Sequence, residues 1–218
     1  TSLDFGTAGL RGLMGAGTNR MNIYTVRQAT FGLGSYICSL GKKAAERGVV
    51  IAYDSRNNGF NFAQNAALVL CNLGIKVYIF DSLRPTPELS FAIRKLGAIA
   101  GINVTASHNP KEYNGYKVYF EDGAQITGEQ AKIILQYMKK ADPLNIDCMS
   151  LDGALEKSLY NIIGDEIDDA YVACVLNEQL DLGDISEQAR NVSIVYSASV
   201  VNVNPDSFIV KRYGLLSI

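Results

Sequence analysis

Histidine is nearly missing from this chain of 218 residues: His108 is the only one. The four cysteines, Cys38, Cys71, Cys148 and Cys174, stand far apart with no C-x-x-C pair. Together these scarcities argue against a zinc cluster, which needs several thiolate or imidazole ligands at close spacing. Cys38 and Cys71 fall inside apolar helical patterns, so they read as buried free thiols in a reducing cytosol. No apolar run approaches the roughly 18–20 residues that a membrane helix needs, and no basic-then-apolar leader opens the chain. A soluble, cytoplasmic protein without a membrane partner is expected. Charge of one sign is also in short supply: 20 basic and 22 acidic residues give a net charge of −2. Without a broad basic field the chain is not expected to hold nucleic acid, and any anionic ligand must be met by a few local cations. Neither G-x-x-x-x-G-K-[ST] nor G-x-G-x-x-G occurs, which removes the commonest glycine-rich phosphate loops. Internal repeats and low-complexity tracts are absent as well.

What is present is an alternation of helical and extended patterns. After the glycine-punctuated opening FGTAGLRGLMGAG, apolar residues at Val26, Ala29, Leu33, Ile37 and Leu40 predict a helix over about 24–47, stopped by Gly48. VVIAY (49–53) has the unbroken apolar character of a strand buried on both faces. A second helix is expected over 60–74, a strand over 75–80, and a helix opening at Thr86-Pro87-Glu88 with Thr86 as its N-cap. GAIAGINV (97–104) reads as a further buried strand and YKVYFEDG (116–123) as an antiparallel edge strand. Thr127 to Gln130 forms a capping box ahead of another helix, and 165–180 is helical. The fold class that follows is α/β, with a mixed, mostly parallel sheet flanked by helices. Domain I is placed at residues 1–182. Residues 183–218 are expected to be a linker and the start of a second similar domain, with a strand at 192–196 and a helix at 205–213. The absence of an initiator methionine suggests a piece of a longer polypeptide.

Three polar loops follow predicted strands: DSRNNG, DSLRPTP and TASHNP. In parallel sheets ligands gather at the carboxyl ends of the strands, so these loops should share one face. TASHNP (105–110) puts Ser107 beside His108, but adjacent residues seldom form a serine–imidazole pair and no G-x-S-x-G elbow is present. The competing explanation is a turn in which Ser, Asn and Pro serve backbone geometry. Arg11, framed by glycines in GTAGLRG, and Lys117, ten positions after Ser107, favour phosphate handling over acyl transfer. Read from the residues alone, both remain open to being ordinary surface charges.

FGTAGLRG, YDSR, RPTPEL and TASHNPKEYNGYKVY, in that order, resemble the first domain of the α-D-phosphohexomutases, the phosphoglucomutase/phosphomannomutase superfamily. The FGTAGLRG, MGAG and NRMN opening is most similar to the long bacterial phosphoglucomutases and the phosphopentomutase-like branch. This resemblance implies a four-domain enzyme that interconverts a sugar 1-phosphate and 6-phosphate through a bisphosphate, with glucose 1,6-bisphosphate or an analogue as activator. It implies that Ser107 carries the phosphoryl group and that Mg²⁺ bridges it to aspartates. Lys117 is implied as the general acid/base, with Arg11, His108 and Asn109 around the phosphoserine and Arg56 and Thr7 binding phosphate or substrate. The D-x-D-x-D-R, G-E-E-S-G and terminal phosphate loops are not in this sequence, and VYSASVVNVN stands at 195–204 where the family usually reads VYTPLHGTG. The chain's partners are therefore a sugar phosphate and the remaining domains of the same protein, and the segment alone is expected to be inactive. Alternatives are a phosphopentomutase, a glucose-1,6-bisphosphate synthase and a non-catalytic sugar-phosphate-binding module.

Overall fold

The computed structural model describes residues 3, 5, 6 and 9–177. Its centre is a six-stranded sheet in the order β1-β5-β4-β2-β3-β6. The strands are β1 (Leu10–Leu13), β2 (Val49–Tyr53), β3 (Val77–Phe80), β4 (Ala100–Val104), β5 (Tyr113–Phe120) and β6 (Tyr160–Ile163). β4, β2, β3 and β6 run parallel, while β5 is antiparallel to both β4 and β1. Every residue of β2 and β4 is buried, as expected for strands covered on both faces.

The helices are α1 (Ile23–Ser39), α2 (Lys42–Arg47), α3 (Gly59–Asn72), α4 (Thr86–Leu96), α5 (Gly128–Met138), α6 (Leu151–Glu156) and α7 (Asp165–Asn177). Because side chains alternate along a strand, the sheet feeds two cores. Ile51, Ile102, Val104, Tyr116 and Val118 join Leu33, Ile37, Phe62 and Ile134 from α1, α3 and α5. On the opposite face Val50, Ala52, Phe80 and Tyr119 meet Leu89 and Ile93 of α4 and Ile167 of α7. The result is a helix–sheet–helix sandwich.

Local chemistry explains the element ends. Asn22 caps α1 by accepting from the Thr25 amide, and Thr25 returns the bond to the Asn22 amide. The Thr127–Gln130 box opens α5 as its sequence predicts. The helix expected over 24–47 is instead two, because Gly41 takes φ 100° between α1 and α2. Pro85, not Thr86, occupies the cap position of α4, and the Thr86 hydroxyl accepts from Asn103 Nδ2 at 2.7 Å. The strand expected from residue 97 begins at Ala100, since Gly97 turns left-handed to close α4. β5 is not an edge: the glycine-rich opening supplies β1, which covers it. α6 and β6, in a stretch without an evident pattern, complete the opposite rim. Cys71 is buried as expected, whereas Cys38 is exposed because it sits near the solvent end of α1. No described helix is long and apolar enough to cross a membrane. The features expected in 183–218 lie outside the described residues.

Candidate active site

The three polar loops do meet at the carboxyl end of the central strands. The Asp54 amide, just past β2, bonds the Val104 carbonyl at 3.2 Å, and the Arg84 amide, past β3, bonds the Tyr53 carbonyl at 3.3 Å. Out of β4 the chain turns sharply. Thr105 Oγ1 accepts the Ser107 amide at 2.9 Å, and the Asn109 amide closes onto the Ala106 carbonyl at 3.2 Å. At the tip Ser107 is exposed and takes φ 58°, in the left-handed region. For a residue with a side chain that conformation costs about 1–3 kcal/mol and persists only where the surroundings enforce it.

Arg56 supplies much of that enforcement. Its Nη2 donates to the carbonyls of Ser107 at 2.5 Å and Asn109 at 2.7 Å. Its Nη1 donates to those of Pro110 at 2.9 Å and Tyr113 at 3.1 Å. Nε lies 3.3 Å from Asp54 Oδ2, and the side chain is only 9% exposed. The residue expected to bind phosphate is thus engaged with the main chain of the serine loop.

Two strands frame the loop with cations. Arg11 on β1 faces Gly115 of β5 in register, and its Nη1 donates to Asn109 Oδ1 at 3.1 Å. Lys117 lies on β5 opposite Asn103 of β4. Burial holds its ammonium below the usual lysine range, the positive charge of Arg11 pushes the same way, and Asp54 opposes them. His108 Nδ1 stands 3.4 Å from Ser107 Oγ, at the outer edge of hydrogen bonding. Among the described residues no carboxylate forms an ion pair with that imidazole, so the orienting member of a triad is missing. Ser107, His108, Asn109, Arg11, Arg56 and Lys117 therefore gather at one end of the sheet, while Thr7 lies outside the described residues.

The family model for phosphoglucomutase/phosphomannomutase, alpha/beta/alpha domain I, matches residues 2–145, which include every one of these groups. The chain belongs to that family. A phosphoglucomutase of Staphylococcus epidermidis is 45% identical over 172 residues, 78% of this chain and 31% of that protein. One of Staphylococcus haemolyticus is 38% identical over 199 residues, 91% of this chain and 35% of that protein. The chain thus spans about a third of the length of these relatives. Among solved structures, a candidate phosphomannomutase of Thermus thermophilus superposes with a TM-score of 0.68 at 27% identity, over 83% of this chain and 37% of that one. A phosphoglucomutase/phosphomannomutase family protein of Burkholderia thailandensis shares the fold, with a TM-score of 0.60 at 24% identity over 80% and 35% of the two chains.

The candidate site also includes two residues that the sequence pattern does not single out. Thr105 precedes the serine by two positions, the spacing at which a hydroxyl can accept a later amide in a tight turn. Asp54 sits two residues before Arg56 and also receives its amide at 3.1 Å, a strand-end D-x-R spacing that could have been noticed. A Mg²⁺ ion fits less well: it asks for several oxygen ligands, and no group of three or more His, Cys, Asp or Glu among the described residues could hold a metal. Asp54, the acid of this loop pair, is already turned to Arg56.

Proposed function

We propose that this chain is the phosphoserine-bearing domain of a phosphoglucomutase-type enzyme, acting on a sugar phosphate by way of a bisphosphate such as glucose 1,6-bisphosphate. The observation that carries the reading is Ser107 itself: an exposed hydroxyl on a strained, tightly held turn at the carboxyl end of β4, flanked by Arg11 and Lys117 from adjoining strands. A phosphoryl group on Ser107 Oγ would project from the loop tip. Transfer breaks the bond from phosphorus to Oγ and forms one to a sugar hydroxyl, whose proton leaves as the new bond forms. Lys117, whose ammonium gives up its proton more readily than an ordinary lysine's, would in its amine form accept that proton, while Ser107 Oγ takes up one as its hydroxyl is regenerated; the reverse step returns both. Arg11, fixed through Asn109, offers positive charge to the phosphoryl oxygens, and the His108 ring stands beside Oγ as a hydrogen-bonding neighbour. Mg²⁺, if bound, would act as a Lewis acid with an oxygen on Ser107 as one ligand, and no role above depends on it.

Ser107 phosphorylation decides the matter. The full-length protein incubated with Mg²⁺ and glucose 1,6-bisphosphate should gain one phosphate by intact mass, mapped to Ser107 and absent in Ser107→Ala. A wild-type protein that gains none, or gains it elsewhere, contradicts the proposal. The same incubation of the 218-residue chain should put little or no phosphate on Ser107, because the chain spans only about a third of the length of its phosphoglucomutase relatives.

A further inference from the structure

We infer that Arg56 is the positioning residue of the serine loop, a clamp that sets the direction of the Ser107 side chain by gathering four main-chain carbonyls, and not a ligand of the phosphate. The inference rests on the proposed phosphoserine role of Ser107 and adds a cause for its geometry. A guanidinium carries five N–H donors in a fixed planar fork and no acceptor. In this site four of its bonds reach the carbonyls of Ser107, Asn109, Pro110 and Tyr113, and the remaining nitrogen faces the Asp54 carboxylate. All three nitrogens are thereby occupied. Reaching for a phosphate would break bonds within a side chain that water barely touches, leaving carbonyls unpaired.

The acceptors matter as much as the donor. They span the turn from its tip at Ser107 to the first residue of β5, so one side chain ties the tip to the strand that the chain enters next. The Thr105 hydroxyl and the Ala106–Asn109 bond fix the inner side of the same turn. Arg56 fixes the outer side, by drawing the Ser107 and Asn109 carbonyls toward β2. A carbonyl held in this way leaves the following peptide plane little freedom, and φ 58° at Ser107 is one consequence. Asp54 then orients the clamp, accepting the Arg56 amide at 3.1 Å and lying 3.3 Å from its Nε.

A clamp and a phosphate ligand leave different kinetic marks. Losing a group that binds substrate equally in ground and transition states raises the half-saturating concentration, whereas losing alignment lowers the maximal rate. In the full-length protein, Arg56→Lys keeps the charge but lacks the planar fork. Ser107 phosphorylation by glucose 1,6-bisphosphate with Mg²⁺ is expected to slow about 10- to 100-fold, the scale of a misplacement near 1 Å, with little change in the half-saturating bisphosphate concentration. Amide hydrogen exchange at 107–113 should quicken while α1 and α3 keep their protection. Where Arg56→Lys does not fold, Arg56→Ala is used with added guanidinium, which should restore rate and protection where methylammonium does not. A raised half-saturating concentration at unchanged maximal rate, or unchanged exchange at 107–113, overturns the clamp. A wild-type protein that takes no phosphate overturns the phosphoserine reading instead, and the exchange measurement still judges the clamp.

Discussion

Arg84 grips Asp168 through two parallel bonds, Nε to Oδ1 at 2.7 Å and Nη2 to Oδ2 at 2.8 Å, where the two side chains are 2% and 0% exposed. The pair joins the DSLRPTP loop to α7 across the second core, with Asp81 Oδ1 a further 2.9 Å acceptor for Nη2. Removing one partner of such a pair strands a charge in the interior, at a cost of about 3–5 kcal/mol. Asp168→Ala and Arg84→Ala should each lower the urea midpoint accordingly. The double variant Arg84→Met with Asp168→Leu should recover part of the loss, which equilibrium denaturation would register.

Lys117 predicts a pH dependence whose sign follows from its environment. Its folded pKa lies below the unfolded value of 10.5, chiefly through burial and then through Arg11. Between those two values the unfolded chain holds a proton that the folded one lacks, so stability rises with pH across that window. The penalty is present in full below the folded pKa and is gone above 10.5. Lys117→Met should flatten this slope. Arg11→Gln should move the titration of the amine upward and Asp54→Asn downward, read from acylation of Lys117 against pH by mass spectrometry.

The cysteines offer a test of packing that needs no enzyme assay. Burial pushes the Cys71 thiol up to about 12, and its side chain is out of water. The thiolate is the reactive form, so in the native protein Cys71 should resist maleimide while exposed Cys38 and Cys174 are labelled. Labelling of Cys71 should appear only on unfolding, and its early labelling would contradict the core described above.

Gly115 predicts a coupled loss. A methyl group there would collide with the carbonyl oxygen of Thr105 and stand 2.9 Å from that of Leu10, both main-chain atoms. One of these neighbours belongs to β1, which carries Arg11, and the other to the entry of the serine loop. Gly115→Ala should cost about 1–3 kcal/mol as overpacking and reduce Ser107 phosphorylation in the same variant. A thermal midpoint close to wild type would disprove the tight approach.

Much of this is readable in the residues, for identifiable reasons. VVIAY and GAIAGINV signal the central strands because burial on both faces leaves no polar position to blur the pattern. Ser107, Arg11 and Lys117 stand out by residue type and Asn109 through the family resemblance, and the fold brings the four together. β1 is hidden by the glycines in and around it: Gly12 weakens its strand propensity, and Gly9, just before it, passes close to the main chain of Tyr116 in β5. β6 is four residues long with Ile162 pointing to solvent, too short to show a period. The clamp by Arg56 is beyond reach because its partners are carbonyl oxygens, which every residue has and no side-chain pattern reports. The Arg84–Asp168 pair is 84 positions apart and has no local signature.

The place of β1 on the rim has a temporal consequence. Arg11 reaches a partner 98 positions further along the chain, and among the described residues its strand has no neighbour in the sheet other than β5. As the polypeptide is synthesised, the first strand must wait until β5 has been made before it can join the sheet. Contacts between such distant segments are slow to form, because the intervening loop must close first. Arg11 would then be among the last of the gathered groups to arrive, completing the site after the rest of the sheet has assembled.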